Sequence, residues 1–180
     1  MALFTGKGDD GTTYFFGSKC RFNKDTPLAE ALGTCDELGS LLGYLRAKIK
    51  SDSKIILEVQ QNLFIIQAEL AGADKRITEE KVRDMERVIN NIEKKLPPIK
   101  TFFIPGANET SALYDLARTV ARRTERRVVA LNPETRFRNQ VSGISKFSLA
   151  YLNRLSSFLY AKARYHAQKK GKVEKKPTYR

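Results

Sequence analysis

Four charged residues recur at helical spacing between positions 115 and 125. Asp115, Arg118, Arg122 and Glu125 follow one another at intervals of three or four, so a helix places them in one stripe along a single face. Arginine presents a planar fork of donors that suits carboxylate or phosphate groups. Our hypothesis is that this stripe lines an anion site. An ordinary solvated helix face with pairs between neighbouring turns is the alternative.

The surrounding segment, residues 110–131, predicts the helix that positions this stripe. Its apolar residues recur at helical spacing and predict one buried face; they are Leu113, Leu116, Ala117, Val120 and Ala121. Between positions 118 and 138, seven arginines stand against two glutamates. Pairs within this segment therefore cannot neutralise all of its cations.

A second candidate anion site lies near the amino terminus. Residues 5–13, TGKGDDGTT, combine three glycines with hydroxyls, a lysine and two aspartates. Successive backbone N–H groups in such a loop can form a concavity that binds phosphate, although the spacing does not fit a P-loop. A flexible turn is the alternative. The aromatic run Tyr14–Phe16 predicts a short extended piece that docks this arm, and Arg21 and Lys24 add cations nearby.

Length and composition predict one soluble domain. The chain has 180 residues, of which 41% are hydrophobic and 29% charged, typical of a globular protein with a single core. We expect one domain over residues 1–168, including an arm over 1–26, and a basic, disordered tail over 169–180. Neither a signal peptide nor a membrane span is predicted. Cys20 and Cys35 are interpreted as free thiols in a reducing cytoplasm.

Periodicity and end signals predict five helices and no strand of any length. Besides 110–131, the predicted helices run from Pro27 to about Ile49, from Asp52 to Ala73, from Thr78 to before Pro97, and from Ser145 to Gln168, with a polar loop over 132–143. Long amphipathic helices with short connections pack as bundles. The predicted fold is therefore all-α, an antiparallel five-helix bundle.

Three further residues in the predicted helices and loops bear on chemistry. Asp36 lies in the middle of a glycine-containing helix, and arginine is the partner expected for it. Phe102 and Phe103 lie in the segment between the third and fourth helices. Residue type favours core positions for these two rings over a flat apolar surface for a ligand.

Five stretches in order resemble one family. They are TGKGDDGTT (5–13), FNKDTPLAEALGTCDEL (22–38), TFFIPG (101–106), LARTVARRTERRVVAL (116–131) and YLNRLSSFLYAKAR (151–164). Together they are similar to the PduO-type ATP:cob(I)alamin adenosyltransferases, which transfer the adenosyl group of ATP to cobalamin. The resemblance covers nearly the whole chain.

The resemblance implies a homotrimer with ATP in a cleft between subunits. It implies that the triphosphate is wrapped by the loop residues Thr5, Gly6, Lys7, Gly8, Asp9, Gly11 and Thr12, with Lys24. Arg122, Glu125 and Asn153 match the family's ATP-contacting positions, and Arg118 matches an arginine that pairs across the interface with Asp36. Phe102 matches the aromatic residue that occupies the lower corrin face. Mg²⁺ would accompany ATP, and no protein ligands for a metal are assigned.

The chain also departs from the family pattern. Ser157 stands where the family has an aspartate, and Pro105–Ala107 replaces a PGG sequence. A pseudoenzyme or chaperone of the same fold that binds ATP or a corrinoid is therefore one alternative. A basic helical protein that binds nucleic acid is another, because the net charge is +13. The resemblance also implies a reductase and an adenosylcobalamin-dependent enzyme as partners.

Overall fold

Five α-helices carry the fold of the computed structural model, which describes residues 3–16, 18–131, 144–169, 171 and 175–179. They are α1 (Pro27–Lys48), α2 (Ser53–Leu70), α3 (Glu79–Glu93), α4 (Glu109–Val129) and α5 (Lys146–Lys169), and a 3-10 turn, Lys50–Asp52, precedes α2. The predicted all-α fold is confirmed. The predicted polar loop over 132–143 lies outside the described residues, as do several residues of the tail.

Within the described residues, the amino-terminal arm departs from the predicted elements. Two short antiparallel strands, β1 (Thr12–Thr13) and β2 (Phe22–Asn23), pair with Thr12 opposite Asn23. The extended segment predicted at Tyr14–Phe16 lies instead at Thr12–Thr13, at the end of the glycine loop. Phe15 instead packs against Phe22, with ring centroids 5.1 Å apart.

Side-chain caps fix where three of the helices begin. Thr26 accepts a hydrogen bond from the Ala29 N–H at α1, where Pro27 is the first helical residue, and Thr78 caps α3 in the same way. At α4 the Asn108 side chain and Ser111 form a reciprocal capping box. These caps satisfy N–H groups that have no partner within the helix.

Helix α4 lies centrally, packed against α1 and α5, while α2 packs on α1 and α3 on α5. Its buried stripe is Tyr114, Ala117, Ala121, Thr124 and Val128, at the spacing of one helix face. The prediction of Leu116 on this face is wrong, since that side chain is 52% exposed. Position 116 is two residues from Tyr114 and points to a different side of the helix.

A buried carboxylate joins three elements at the carboxyl end of α5. Asp52 accepts hydrogen bonds from Tyr114 Oη at 2.6 Å, Lys162 Nζ at 2.8 Å and His166 Nε2 at 2.7 Å. All four side chains are buried. Burial alone would raise the pKa of Asp52, but the hydrogen bonds from His166, Lys162 and Tyr114 outweigh it and hold that pKa well below its usual range.

A second buried carboxylate holds the amino end of α5. Glu69 of α2 accepts hydrogen bonds from the Ser145 N–H at 2.7 Å and from the Ser148 hydroxyl, and it pairs with Arg76 at 3.0 Å. A carboxylate next to a helix amino terminus also interacts favourably with the helix dipole. Both ends of α5 are therefore fixed by charged groups.

Both cysteines are unpaired. Cys20 is exposed, whereas Cys35 is buried in the core. Burial, aided by the negative charge of Asp36, raises the pKa of Cys35 to about 12.

Among the helices described, none is long and apolar enough to cross a membrane.

Replacement of Asp52 by Asn tests the buried cluster. The variant should lose about 3–5 kcal/mol of unfolding free energy at pH 7, because it leaves Lys162 buried without its carboxylate. Since the folded pKa of Asp52 is lowered, its contribution is fully present above the unfolded pKa and declines as pH falls below it. Urea unfolding at pH 7 and at acidic pH should therefore show the loss shrinking in acid.

The matched control is Asp84→Asn, which removes an exposed carboxylate paired with Arg87. This variant should stay within about 0.5 kcal/mol of the parent chain. An equal loss in both variants, or a loss at Asp52 that is independent of pH, would contradict the role given to the buried cluster.

Candidate active site

An open cavity of about 550 Å³ lies between α4, α5 and the segment that precedes α4. Arg118 and Arg122 line it from α4, and Ser156, Ser157 and Tyr160 line it from α5; residues 99–103 close the third side. The cavity therefore combines cationic, hydroxyl and aromatic groups. Such a mixture suits a ligand with both a charged part and a flat apolar part.

Phe102 presents its ring to this cavity. It is 77% exposed, whereas the neighbouring Phe103 is only partly exposed. The core position favoured for Phe102 on residue type is therefore wrong. An exposed ring beside a cavity instead provides a flat apolar surface for a ligand.

Arg118 is held from two sides in this cavity. Its Nε lies 3.4 Å from Asp115 Oδ1, and its guanidinium carbon lies 5.8 Å from the centre of the Tyr160 ring. Asp36 is exposed on α1, so a second chain could reach it. The pairing of Asp36 with Arg118 of another subunit stays a prediction.

The cations of α4 divide into neutralised and unneutralised groups. Arg123 pairs with Glu37, and Arg127 pairs with Glu30 at 3.2 Å, so α1 supplies carboxylates to both. Within the described part of the chain, Arg122 has no ion pair. Its charge is available to a ligand of the cavity, which is what the anion-site hypothesis requires.

Glu125 of α4 and Asn153 of α5, both predicted as ATP-contacting residues, contact each other. Asn153 Nδ2 donates to Glu125 Oε1 at 2.7 Å, and Arg154 Nη1 donates to Asn153 Oδ1 at 2.7 Å. Arg154 Nε continues the chain to Glu86 Oε1 at 2.8 Å. These hydrogen bonds link α4, α5 and α3 and fix the orientation of the Asn153 amide beside the arginine stripe.

The amino-terminal loop is folded into two successive turns. Gly6 and Gly11 have φ of 66° and 81°, values that only glycine adopts without strain. The Asp9 N–H donates to Gly6 O and the Gly11 N–H to Gly8 O, each at 3.2 Å. Lys24 Nζ donates to Gly8 O at 2.7 Å. The loop thus brings a lysine against its backbone, as predicted.

Arg21, predicted as a cation near the loop, and Asp10 of the loop itself both hold the loop in shape. Arg21 Nη2 donates to Thr12 O at 2.9 Å and also bonds Lys7 O, so it ties β2 to the loop. Asp10 accepts hydrogen bonds from the Thr12 hydroxyl and N–H. The bond from the Thr12 hydroxyl has the larger effect and the bond from the Thr12 N–H the next, and both lower the pKa of Asp10. Only the strand pairing, which the sequence did not indicate, would have revealed both roles.

The loop and the cavity are separate in one chain. Of the described residues that line the cavity, none belongs to the segment Thr5–Thr12. One chain thus carries the glycine loop and the cationic cavity at different places. No group of three or more His, Cys, Asp or Glu side chains able to hold a metal occurs within the ranges described.

Comparison with known proteins identifies the family of the chain. Residues 3–166 match the model of a family described as cobalamin adenosyltransferase. The chain belongs to the cobalamin adenosyltransferase family. It is 36% identical over 174 residues to a corrinoid adenosyltransferase of Bacillus subtilis, covering 91% of this chain and 86% of the relative. The human corrinoid adenosyltransferase MMAB is 30% identical, with 96% and 72% covered.

Solved members of the family share the fold. A variant PduO-type ATP:corrinoid adenosyltransferase from Lactobacillus reuteri, complexed with cobalamin and ATP, superposes with a TM-score of 0.88. It is 29% identical, and the match covers 99% of this chain and 97% of that one. The PduO protein of Citrobacter freundii is 36% identical over 91% of this chain, which spans about half of that protein's length (49%). The predicted family is confirmed.

Substitution of Gly11 by Ala tests the loop as an anion site. A side chain at φ 81° costs about 1–2 kcal/mol, which corresponds to an affinity roughly 5- to 30-fold weaker for an anion held by the loop. Calorimetric titration with inorganic triphosphate measures this affinity.

Gly72→Ala is the control. Gly72 has φ of 93°, and at both glycines an added Cβ would meet nothing within 4 Å. The two variants therefore carry similar backbone strain, but only Gly11→Ala should weaken triphosphate binding. Equal affinities in the two variants would mean that the loop does not bind phosphate.

Proposed function

We propose that this protein transfers the 5′-deoxyadenosyl group of ATP to cob(I)alamin, forming adenosylcobalamin and releasing triphosphate. The observation that carries the proposal is the cavity that joins the unneutralised Arg122 to the exposed ring of Phe102, in a chain matched to the family over residues 3–166. ATP needs cations, and the corrin ring needs a flat apolar contact. The cavity offers both.

The triphosphate is assigned to the loop and the arginine helix. ATP carries about four negative charges, which backbone N–H groups, Lys7 and Lys24 would neutralise. Arg122, which has no ion pair within the described ranges, would add a further positive charge for the triphosphate. Glu125 and Asn153, bonded to each other at 2.7 Å, supply the oriented polar pair for the nucleoside end. Mg²⁺ would accompany the triphosphate and supply positive charge to it, with no protein ligand assigned.

The reaction is a substitution at the 5′ carbon of ATP. The cobalt of cob(I)alamin donates the electron pair, the cobalt–carbon bond forms, and the bond from C5′ to the phosphate oxygen breaks. Triphosphate leaves with that electron pair. The protein needs no nucleophile of its own and contributes orientation, exclusion of water and stabilisation of the leaving charge. Arg122 is placed to provide the last of these.

Phe102 is assigned to the lower face of the corrin. A bulky apolar ring at that face excludes both water and the lower axial base, which makes reduction of the cobalt easier. The exposure of Phe102 supports the assignment, because a ring that serves a ligand must be open before the ligand binds. Ser157 lines the same cavity and leaves this side without the aspartate of the family pattern.

A homotrimer would complete the site. In one chain the loop lies away from the cavity, so the two halves can meet only if different subunits supply them. The exposed position of Asp36 supports its predicted pairing with Arg118 of a neighbour. A cytoplasmic location, a reductase and an adenosylcobalamin-dependent enzyme remain parts of this proposal.

Anaerobic turnover tests the proposal directly. The protein is mixed with ATP, Mg²⁺ and chemically reduced cobalamin, and the visible spectrum is followed for adenosylcobalamin while triphosphate is assayed. Equimolar formation of both products is expected. ATP and corrinoid binding without conversion would favour the pseudoenzyme. Binding of neither ligand, with salt-sensitive binding of nucleic acid, would reject the proposal.

Replacement of Arg122 by Ala should remove most of the activity. Loss of one preorganised charge at the leaving group costs about a hundredfold or more in kcat, and the fold should persist because the side chain is exposed. Arg83→Ala is the control, since Arg83 pairs with Glu79 on α3, away from the cavity. Parental turnover of the Arg122 variant would contradict the site.

Replacement of Asp36 by Asn should weaken assembly and ATP use together. Loss of one partner of an interface charge pair is expected to raise the dissociation constant of the trimer at least about tenfold. Sedimentation and the KM for ATP report the two effects. Glu80→Gln, at an exposed position on α3, serves as the control. An unchanged trimer with unchanged kinetics would show that the pair does not form.

A further inference from the structure

The segment that carries Phe102 has no regular secondary structure. Residues 94–108 connect α3 to α4, and the ring of Phe102 is 77% exposed. Packing of the ring itself therefore does not fix its position. The ring can be only as well placed as the backbone that carries it.

Most of this segment has no hydrogen bond to the rest of the described residues. Among the described residues, no hydrogen bond is found for the backbone of Pro98–Phe102. These five residues form an arch over the cavity. Beyond the arch, the Ile104 N–H donates to Lys175 O at 2.8 Å, and Asn108 Nδ2 donates to His166 O at 3.0 Å. The arch thus depends on what holds its two ends, Pro97 and Phe103.

One side chain of α5 contacts both ends. Arg164 Nη2 donates to Pro97 O at 3.1 Å, and the guanidinium carbon lies 5.2 Å from the centre of the Phe103 ring. Arg164 is only 4% exposed, so both contacts are made by a desolvated cation, where such contacts are strongest. The guanidinium is planar and suits both tasks, because its N–H groups can donate to a carbonyl and its face can stack on an aromatic ring.

We propose that Arg164 is a positioning residue, which sets the path of the arch Pro98–Phe102 and thereby places Phe102 against the corrin. The inference rests on the proposed function for what Phe102 does. The placement of the arch itself is independent of that function. Arg164 acts through the ends of the arch and contacts no substrate.

Two variants separate the two contacts. Arg164→Lys keeps the charge but removes the planar group that bridges both ends. Phe103→Leu removes the ring that contacts Arg164 and leaves the hydrogen bond to Pro97. Both should fold, since each replaces a side chain with one of similar character. Arg87→Lys on α3 is the matched control, because Arg87 is exposed and pairs with Asp84.

The first readout needs no ligand. Trypsin cleaves after Lys100, which lies within the arch and is exposed, and mass spectrometry follows this one bond. Cleavage there should be about tenfold faster in Arg164→Lys and in Phe103→Leu. This factor corresponds to the free energy of one contact made by a desolvated cation. Cleavage at other sites and in Arg87→Lys should match the parent. Parental cleavage after Lys100 in both variants would overturn the inference.

The second readout separates positioning from a general loss of structure. The KM for cob(I)alamin should rise about tenfold in both variants, from the same lost contacts, while the KM for ATP stays within about twofold. Equal rises in both KM values, with a lower Tm, would overturn the inference. If the parent makes no adenosylcobalamin, the proposed function fails, and the trypsin result still decides whether Arg164 holds the arch.

Discussion

The buried carboxylate of Asp52 is the interaction on which the rest of the structure depends. It accepts from Tyr114 of α4 and from Lys162 and His166 of α5, so one group fixes the mutual position of α4, α5 and the turn before α2. Removal of water from four polar groups is costly unless every one is bonded. The cluster therefore favours one arrangement of these helices. Together with Glu69 at the amino end of α5, it fixes the position of α5, which forms one wall of the cavity.

The candidate site follows from that fixed pair of helices. Arg118 and Arg122 project from α4 and Ser157 and Tyr160 from α5, so the width of the cavity is set by the packing of α4 on α5. The carboxylates of α1 neutralise Arg123 and Arg127 and leave Arg122 for a ligand. Within the described residues Arg122 has no ion pair, and it lines the same cavity as the exposed ring of Phe102. The cavity therefore offers a counter-charge to an anion and an apolar surface to a flat ring.

The sequence predicted the helices well because each carries its own signals. Thr26-Pro27 and Thr78 cap helices where predicted, and apolar periodicity placed Ala117, Val120 and Ala121 inside. Residue type misled at Phe102, because exposure depends on the path of a loop that no periodicity describes. The pairs of Arg123 and Arg127 were missed for a similar reason: their carboxylates lie about 90 residues earlier in the chain, and only helix packing brings them near. The bond between His166 and Asp52 joins residues 114 positions apart, so it also depends on helix packing.

Complementation between two inactive variants tests most directly whether two subunits build one site. Lys24→Ala alters the loop and Arg122→Ala alters the cavity, and mixed trimers are isolated through two different affinity tags. In a cyclic trimer every mixed assembly has one site with both parts intact, so roughly a third of parental turnover per trimer is expected. Mixed trimers, verified by native mass spectrometry, that show no activity above either variant alone would contradict a site shared between subunits.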